Sequence, residues 1–387
     1  KISERNPILK MYDADIRSMD AASKGARSWM PPEVGSGFFM TPYNTKMWKS
    51  DGMGQPGMGQ FMFSVQQMFP NPGKLNAESR YMRAMSSIEK ERKNYSLNEL
   101  YSEAKKNYYE WMMYKRKLKI LEQDEKLLNF MIASAELLYK NGMGKISAYY
   151  KAKAALGNVE NMRVMLESEI QQKRITLNTL IYRDKQQALE IDTVYVIKDY
   201  SGLLLDTTTF INSRSDIKAV EKNIQLTYLQ AKVEKAKLRP EFGIKYDHAV
   251  AFGDLPLQYS LMGMMKIPFA PWASKMYKAN IESIKWKTES LTQQKAMMIN
   301  EAQGMATSML IEFEAKKKQV KLFEDNIIPA LKKNYQTMQL GYEQNTEELF
   351  MLFDAWETLN MAQLDYIDQL RQLLLIQSEY EKLLEIK

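Results

Sequence analysis

The feature that most constrains this chain is an unusually long stretch, Trp272 to Leu340, in which only Gly304 and Pro329 interrupt a helical pattern. At ~1.5 Å per residue such a helix would extend roughly 100 Å, several times the length of a helix in a globular domain. Asn345 follows it, and asparagine tolerates the left-handed conformation in which many helices end. A returning helix is predicted for residues 347–386, where apolar residues recur every three or four positions. The stretch therefore predicts a long helical hairpin that needs partners to bury its apolar stripe.

The same construction occurs earlier in the chain. Pro32–Gly35 recurs as Pro240–Gly243, and the tip sequence Tyr139–Gly142 recurs as Tyr342–Asn345 at nearly the same offset. Short matches arise easily by chance, but ordered matches at one offset indicate a duplication. Each half is predicted to contain a helix, two strands, a very long helix, a tip and a returning helix.

The duplication divides the chain into seven segments. They are a helix (1–31), a β-hairpin with a Met- and Gly-rich outer loop (32–70), a long helical hairpin with its tip at 141–144 (71–181), a connector (182–213), a helix (214–239), a second β-hairpin (240–268) and a second long helical hairpin with its tip at 342–346 (269–387). In the connector, Asp192–Ile197 has the composition of a strand and Gly202–Leu205 is a short apolar run. We therefore expect a small mixed belt there, beside the C-terminus.

The strands are predicted where the period of the pattern changes from about 3.6 residues to 2. They cover Val34–Tyr43, Gln60–Phe69, Glu241–Phe252 and Gln258–Ile267. About ten alternating residues are the length of a transmembrane β-strand, although soluble β-hairpins alternate in the same way. Four strands cannot close a barrel, and lipid does not tolerate bare strand edges. Membrane insertion would therefore require several chains to share one barrel.

Composition argues against several classes of protein. The sequence has no run of about 18 apolar residues, so no helix is expected to span a bilayer. The net charge of +7 is spread along the helices, which is typical of solvated helix faces and not of a nucleic-acid surface. Cysteine, a glycine-rich phosphate loop and zinc-ligand spacing are all absent from the sequence, so we expect no disulfide.

Short motifs occur in a fixed order along the chain. They are helix openings at Asn6–Leu9 and Arg214–Ile217, a strand entry at Pro240–Phe242, and a tip pattern made of Tyr342–Asn345, Phe353–Ala355 and Leu359. Together these motifs resemble those of the TolC-like outer membrane factor (outer membrane efflux protein) family, and in particular its CusC/CzcC-type heavy-metal efflux branch. The resemblance covers nearly the whole chain.

The resemblance implies a mixed α+β membrane protein. Three identical chains would form a 12-stranded β-barrel in the outer membrane of a Gram-negative bacterium, continued by a long α-helical barrel in the periplasm. It implies a passive channel without catalysis or cofactor, whose closed tip opens when a periplasmic adaptor protein and an inner-membrane pump dock. The expected partners are further copies of the chain, the adaptor, the pump and outer-membrane lipid, and not nucleic acid.

The resemblance also assigns roles to residues near the two tips. Adaptor docking is expected at Asn141, Gly142, Met143, Gln344, Asn345 and Thr346. The channel gate is expected at Tyr342, Glu347, Met351 and Asp354. Because Met351 replaces a commonly acidic position, the negative charge of the gate would rest mainly on Asp354. An ordinary solvated helix charge is the alternative for that residue.

Methionine is enriched, with 28 residues in the chain. Thioether sulfur is a soft ligand that suits Cu(I) and Ag(I). The candidate metal ligands, which share the strand phase that would face the channel, are Met62, Met68, Met262 and Met264. Others cluster in the first hairpin and its loop: Met40, Met47, Met53 and Met58. Packing is the alternative, because methionine also fills irregular gaps. The single histidine, His248, lies in the lipid-facing phase and is not expected to bind metal.

Three functions are open at this point. The first is the exit duct of a tripartite efflux pump for soft metal ions or small toxic molecules, and the second is the same duct in type I protein secretion. The third, from another class, is a soluble coiled-coil scaffold, which would have no use for the alternating hairpins. Solubility without detergent would indicate the scaffold, and the neighbouring genes would separate the first two.

Overall fold

A computed structural model of the chain describes residues 1–50, 52, 57–200, 207–253 and 256–386. The elements in chain order are α1 (Ile2–Arg5), α2 (Pro7–Gly25), β1 (Glu33–Phe39), β2 (Gln60–Phe69), α3 (Pro72–Lys140), α4 (Ile146–Leu180), α5 (Thr207–Ser213), α6 (Ser215–Lys237), β3 (Glu241–Ala251), β4 (Gln258–Lys266), α7 (Pro271–Leu322), α8 (Ile328–Glu343) and α9 (Leu349–Leu384). A short 3₁₀ helix, Thr45–Trp48, follows β1, and a π-helical turn, Phe323–Ile327, joins α7 to α8.

The chain divides into two compact units. The helical unit comprises residues 1–11, 92–217 and 297–387, and the sheet unit comprises residues 12–91 and 218–296. Each unit contains segments from both halves of the duplicated sequence.

The sheet unit contains a four-stranded antiparallel sheet in the order β1-β2-β3-β4. Its central pair joins the two halves, with Gln60 opposite Ala251 and Phe69 opposite Phe242. β2 has the predicted bounds, whereas β1 is shorter than expected and ends at Phe39. Met40 has a φ of 50°, which an extended strand cannot accommodate, so the strand stops there.

The long helices begin and end at the expected kinds of residue. Asn71 Oδ1 accepts a hydrogen bond of 2.8 Å from Gly73 N and caps α3, whose first residue is Pro72. Asn345 has a φ of 59° after α8, which confirms the left-handed conformation expected there, and Gly142 has a φ of 71° after α3. Among the described helices, none combines the length and apolar character needed to cross a membrane.

The long helix predicted from Trp272 to Leu340 is not α-helical throughout. The π-helical turn Phe323–Ile327 interrupts it immediately before Pro329, where an unbroken α-helix was expected. Proline has no backbone N–H and its ring collides with the preceding turn, so the backbone widens there instead of continuing as an α-helix.

The connector also differs from expectation. Asp192–Ile197 forms no strand, and several of its backbone carbonyls instead accept hydrogen bonds from side chains of the long helices. Tyr108 Oη donates to Asp192 O at 2.6 Å, and Gln377 Nε2 donates to Val196 O at 3.1 Å. At these carbonyl groups the side chains take the place of a partner strand as hydrogen-bond donors. The run Gly202–Leu205 lies outside the described residues.

Two apolar clusters of the helical unit matter for function. We call the first the connector core; its fully buried members include Met112, Phe210, Ile217, Phe313, Leu370 and Tyr380. We call the second the tip core; it includes Leu121, Leu128, Met131, Val159, Leu352, Phe353 and Trp356. The tip core brings together α3, α4 and α9, so one hairpin is packed on the other through buried side chains.

Candidate duct, gate and metal residues

The sheet has one apolar and one polar face. The register aligns Val34, Val65, Tyr246 and Leu261 in one row across the four strands. The apolar face also carries Phe38, Phe61, Phe63, Phe242, Ile244, Val250, Tyr259 and Met265, most of them exposed. His248 lies on this face, opposite Phe63 and Tyr259, as its strand phase predicts. A wide exposed apolar face is typical of a surface that meets lipid or another protein.

The outer loop is anchored by an aromatic pair. The Trp48 ring stacks on the Phe252 ring with centroids 5.1 Å apart and an interplanar angle of 7°. Trp48 Nε1 also donates a hydrogen bond of 2.8 Å to Pro42 O. Met47 and Met58 of this region are exposed, and Met53 lies outside the described residues.

All four candidate metal ligands lie on the polar face, but the structure brings only some of them together. Met68 and Met264 are both opposite Gly243, one on each side of it. A Cβ at Gly243 would overlap Met68 Sδ and lie 3.3 Å from Met264 Cε, so both thioether side chains fill the space that the glycine leaves. Met262 is nearby, opposite Lys245, whereas Met62 is opposite Ala249 towards the other end of the strands.

The two tips are exposed. Asn141, Gly142 and Met143 are exposed in the first hairpin, as are Gln344, Asn345 and Thr346 in the second. The second turn is closed by Thr346, whose N and Oγ1 both donate to Gly341 O, at 2.8 Å and 3.0 Å. The turns are therefore well defined while their side chains remain available for contacts.

The expected gate residues occupy two environments. Glu347, Met351 and Asp354 are exposed, and Met351 and Asp354 lie on one side of α9 because they are three residues apart. Tyr342 is partly buried and packs against the tip core. Three of the four residues therefore face away from the buried contacts of their own chain.

Residues 1–181 match the model of the family described as outer membrane efflux protein. This match covers just under half of the chain. Its fold is similar to that of the outer-membrane channel OprN, with 13% identity and a TM-score of 0.79 over 99% of this chain and 88% of that one. It is also similar to that of VceC of Vibrio cholerae, with 14% identity and a TM-score of 0.76 over 99% of this chain and 94% of that one. A third similar structure is CusC, with 16% identity and a TM-score of 0.75 over 99% of this chain and 90% of that one. No curated protein sequence matches the chain.

The family match and the similar folds agree with the resemblance that the motifs indicated. OprN is described as an outer-membrane channel and VceC as an outer membrane protein. At this level of identity the similarity to CusC concerns the fold.

Sequence reasoning missed a buried acid beside the tip core. Asp124 on α3 is 6% exposed, and its Oδ1 accepts a hydrogen bond of 2.8 Å from Trp356 Nε1 on α9. Its position in the sequence could have indicated this burial, because Asp124 falls between Leu121 and Leu128 in the apolar phase of α3. A charged residue in that phase is buried when the helix packs.

Proposed function

We propose that this chain is one of three identical subunits of an efflux duct. The three sheets would close a 12-stranded barrel in the outer membrane, and the helical units would enclose a passage through the periplasm. The observation that carries the proposal is the sheet, whose apolar face is exposed and whose edge strands β1 and β4 each pair on one side only among the described strands. Lipid accepts an apolar face but not bare edges, and pairing β4 of one copy with β1 of the next satisfies both requirements.

The proposed duct is passive, and the energy for export comes from an inner-membrane pump. An adaptor protein would link that pump to the exposed tips, Asn141–Met143 and Gln344–Thr346. Protein secretion through the same duct is the alternative, and the genes beside this one would decide between them because the pump selects the substrate.

The proposed gate lies near the second tip. In a three-fold assembly the copies of Asp354 would approach the axis together, with Glu347 and Met351 beside them. Three carboxylates in a narrow ring repel one another and favour cations. Tyr342 would hold the neighbouring hairpin in place from the side of the tip core.

Purified in detergent, the protein should therefore have the mass of three chains and conduct ions in planar bilayers. Asp354→Ala should lower the preference for cations and weaken block by divalent or trivalent cations, because the ring loses its charge. The measurement is the reversal potential in a salt gradient, with and without the blocker. Asp365→Ala, which removes another exposed carboxylate farther along α9, is the control and should behave as wild type.

A stable monomer in detergent would contradict the assembly. Unchanged selectivity and block in Asp354→Ala would show that this residue is an ordinary surface charge and that the constriction lies elsewhere.

Soft metal ions are the substrate class that we propose for this duct. The convergence of Met68 and Met264 over Gly243 supports the proposal, with Met262 two residues along the same face. Replacing Met62, Met68, Met262 and Met264 with leucine should keep assembly intact and lower the tolerance of cells to copper or silver, because leucine keeps the volume but offers no thioether. The measurement is the highest concentration of copper or of silver at which the cells still grow.

The matched control is Met297→Leu with Met305→Leu, which removes exposed thioethers from α7. Unchanged metal tolerance in the strand variant, with normal assembly, would show that its methionines only fill space.

A further inference from the structure

Side chains at the start of α9 connect three helices of the helical unit in an unbroken series. Lys151 Nζ of α4 lies 4.4 Å from the centre of the Phe353 ring. The Phe353 ring meets the Trp356 ring edge to face at 5.3 Å, and Trp356 Nε1 donates to Asp124 Oδ1 of α3 at 2.8 Å. The cation–π contact and the hydrogen bond therefore fasten α9 to both helices of the first hairpin.

The surroundings of Asp124 favour its uncharged form. Asp124 Oδ2 is buried and has no hydrogen-bond partner among the described residues. Burial raises the pKa of Asp124 to about 6, and the hydrogen bond from Trp356 opposes this only in part. A carboxylate with one unsatisfied oxygen in an apolar cluster is costly, so the contact is most stable when the proton is present.

The charged and titratable groups of the neighbouring helices do not offset that cost. From α8, Tyr335 faces Asp124, and its pKa is raised by burial and further by the charge of Asp124. From α4, Arg163 Nη1 pairs with Glu125 Oε2 at 2.8 Å, and Lys151 Nζ lies 3.6 Å from Glu357 Oε2 of α9. These cations are thus already matched with other carboxylates.

We propose that Lys151, Phe353, Trp356 and Asp124 form a latch that holds α9 against α3 and α4 in the closed duct and releases when Asp124 loses its proton. The inference rests on the proposed function, because the latch would position Met351 and Asp354 on the same turns of α9. The latched form binds the proton more tightly than a released form in which water reaches the carboxylate. Latching is therefore complete at acidic pH and is lost as the pH rises through about 6.

The test is the resting conductance of the assembled protein in planar bilayers at about pH 5 and about pH 7.5. The resting conductance of the wild type should be higher at the higher pH, by up to about tenfold for each latch that must release. Asp124→Asn should stay closed at both values because the amide carries no charge. Asp365→Asn, an exposed position on α9, should keep the pH response of the wild type.

A second pair of variants tests the cation–π contact. Lys151→Met should raise the resting conductance at the lower pH because it removes the charge over the Phe353 ring, and Lys151→Arg should restore closure. Lys153→Met, which removes an exposed cation from the same helix, is the control and should resemble wild type.

Equal wild-type conductance at both pH values, or an unchanged pH response in Asp124→Asn, would overturn the latch. Thermal unfolding gives a readout that does not depend on conduction, because Asp124→Asn should raise the unfolding midpoint more at about pH 7.5 than at about pH 5. If that shift appears but the protein does not conduct, the duct is refuted and the pH-dependent contact stands. If the protein conducts but the shift is absent, only the latch fails.

Discussion

Leu261→Arg should keep the protein out of the outer membrane, whereas Ser260→Arg should leave insertion intact. Leu261 is 67% exposed and belongs to the central row of the apolar face, with Val34, Val65 and Tyr246. An arginine in the middle of a lipid-facing strand costs about 2–4 kcal/mol, and the proposed trimer would carry that cost in every copy. The effect should therefore be close to complete loss of the inserted form.

Ser260 is a matched control because it is the preceding residue and points to the polar face. Its Oγ donates to Asp247 Oδ2 at 3.2 Å, so an arginine at this position gains a neighbouring carboxylate. The measurement is the fraction of each variant that fractionates with the outer membrane as trimer. Equal insertion of both variants would show that the apolar face does not contact lipid.

Tyr380→Ala should destabilise the helical unit by about 3–5 kcal/mol, whereas Tyr380→Phe should be neutral or slightly stabilising. The side chain is fully buried in the connector core, and its ring lies 4.9 Å from the Tyr200 ring. Its Oη is buried without a hydrogen-bond partner among the described residues. Truncation leaves a large cavity, but loss of an unpaired hydroxyl removes a group that gains nothing from burial.

Tyr200→Phe provides the contrast for this prediction. Tyr200 Oη donates to Glu381 Oε1 at 3.0 Å, and a hydrogen bond to a charged group contributes about 1.5–3 kcal/mol. Denaturant unfolding in detergent should therefore rank the variants as Tyr380→Phe, Tyr200→Phe and Tyr380→Ala, from most to least stable. If Tyr380→Phe were as damaging as Tyr200→Phe, its hydroxyl would have a partner in the assembled protein.

Asp124 and Glu381, two buried carboxylates of the helical unit, respond to pH in opposite directions. Burial raises the pKa of Glu381, but hydrogen bonds from Lys105, Lys198 and Tyr200 outweigh this effect and lower it overall. Glu381 therefore stabilises the fold at neutral pH and loses that contribution as the pH falls through its lowered pKa, whereas Asp124 favours the packed form in acid. The difference arises because Glu381 has cationic partners, whereas the hydrogen bond that Asp124 accepts among the described residues comes from an indole N–H.

The sequence by itself determined the elements and the faces of this protein. The alternation in residues 60–69 predicted β2 with its observed bounds, and the duplicated tip sequence predicted the left-handed Asn345. The membership of Met68 and Met264 in the polar face followed from the same alternation. These features depend on local backbone geometry, which a period of 2 or 3.6 residues reports directly.

Only the tertiary structure decided which side chains meet. The strand-like composition of Asp192–Ile197 did not produce a strand, because Tyr108 and Gln377 satisfy its backbone instead. The contact of Asp124 with Trp356 joins residues far apart in the sequence, and it depends on how α3 and α9 are rotated towards each other. Such contacts are set by the packing of whole helices and by strand register, and the period of a single segment carries no information about either.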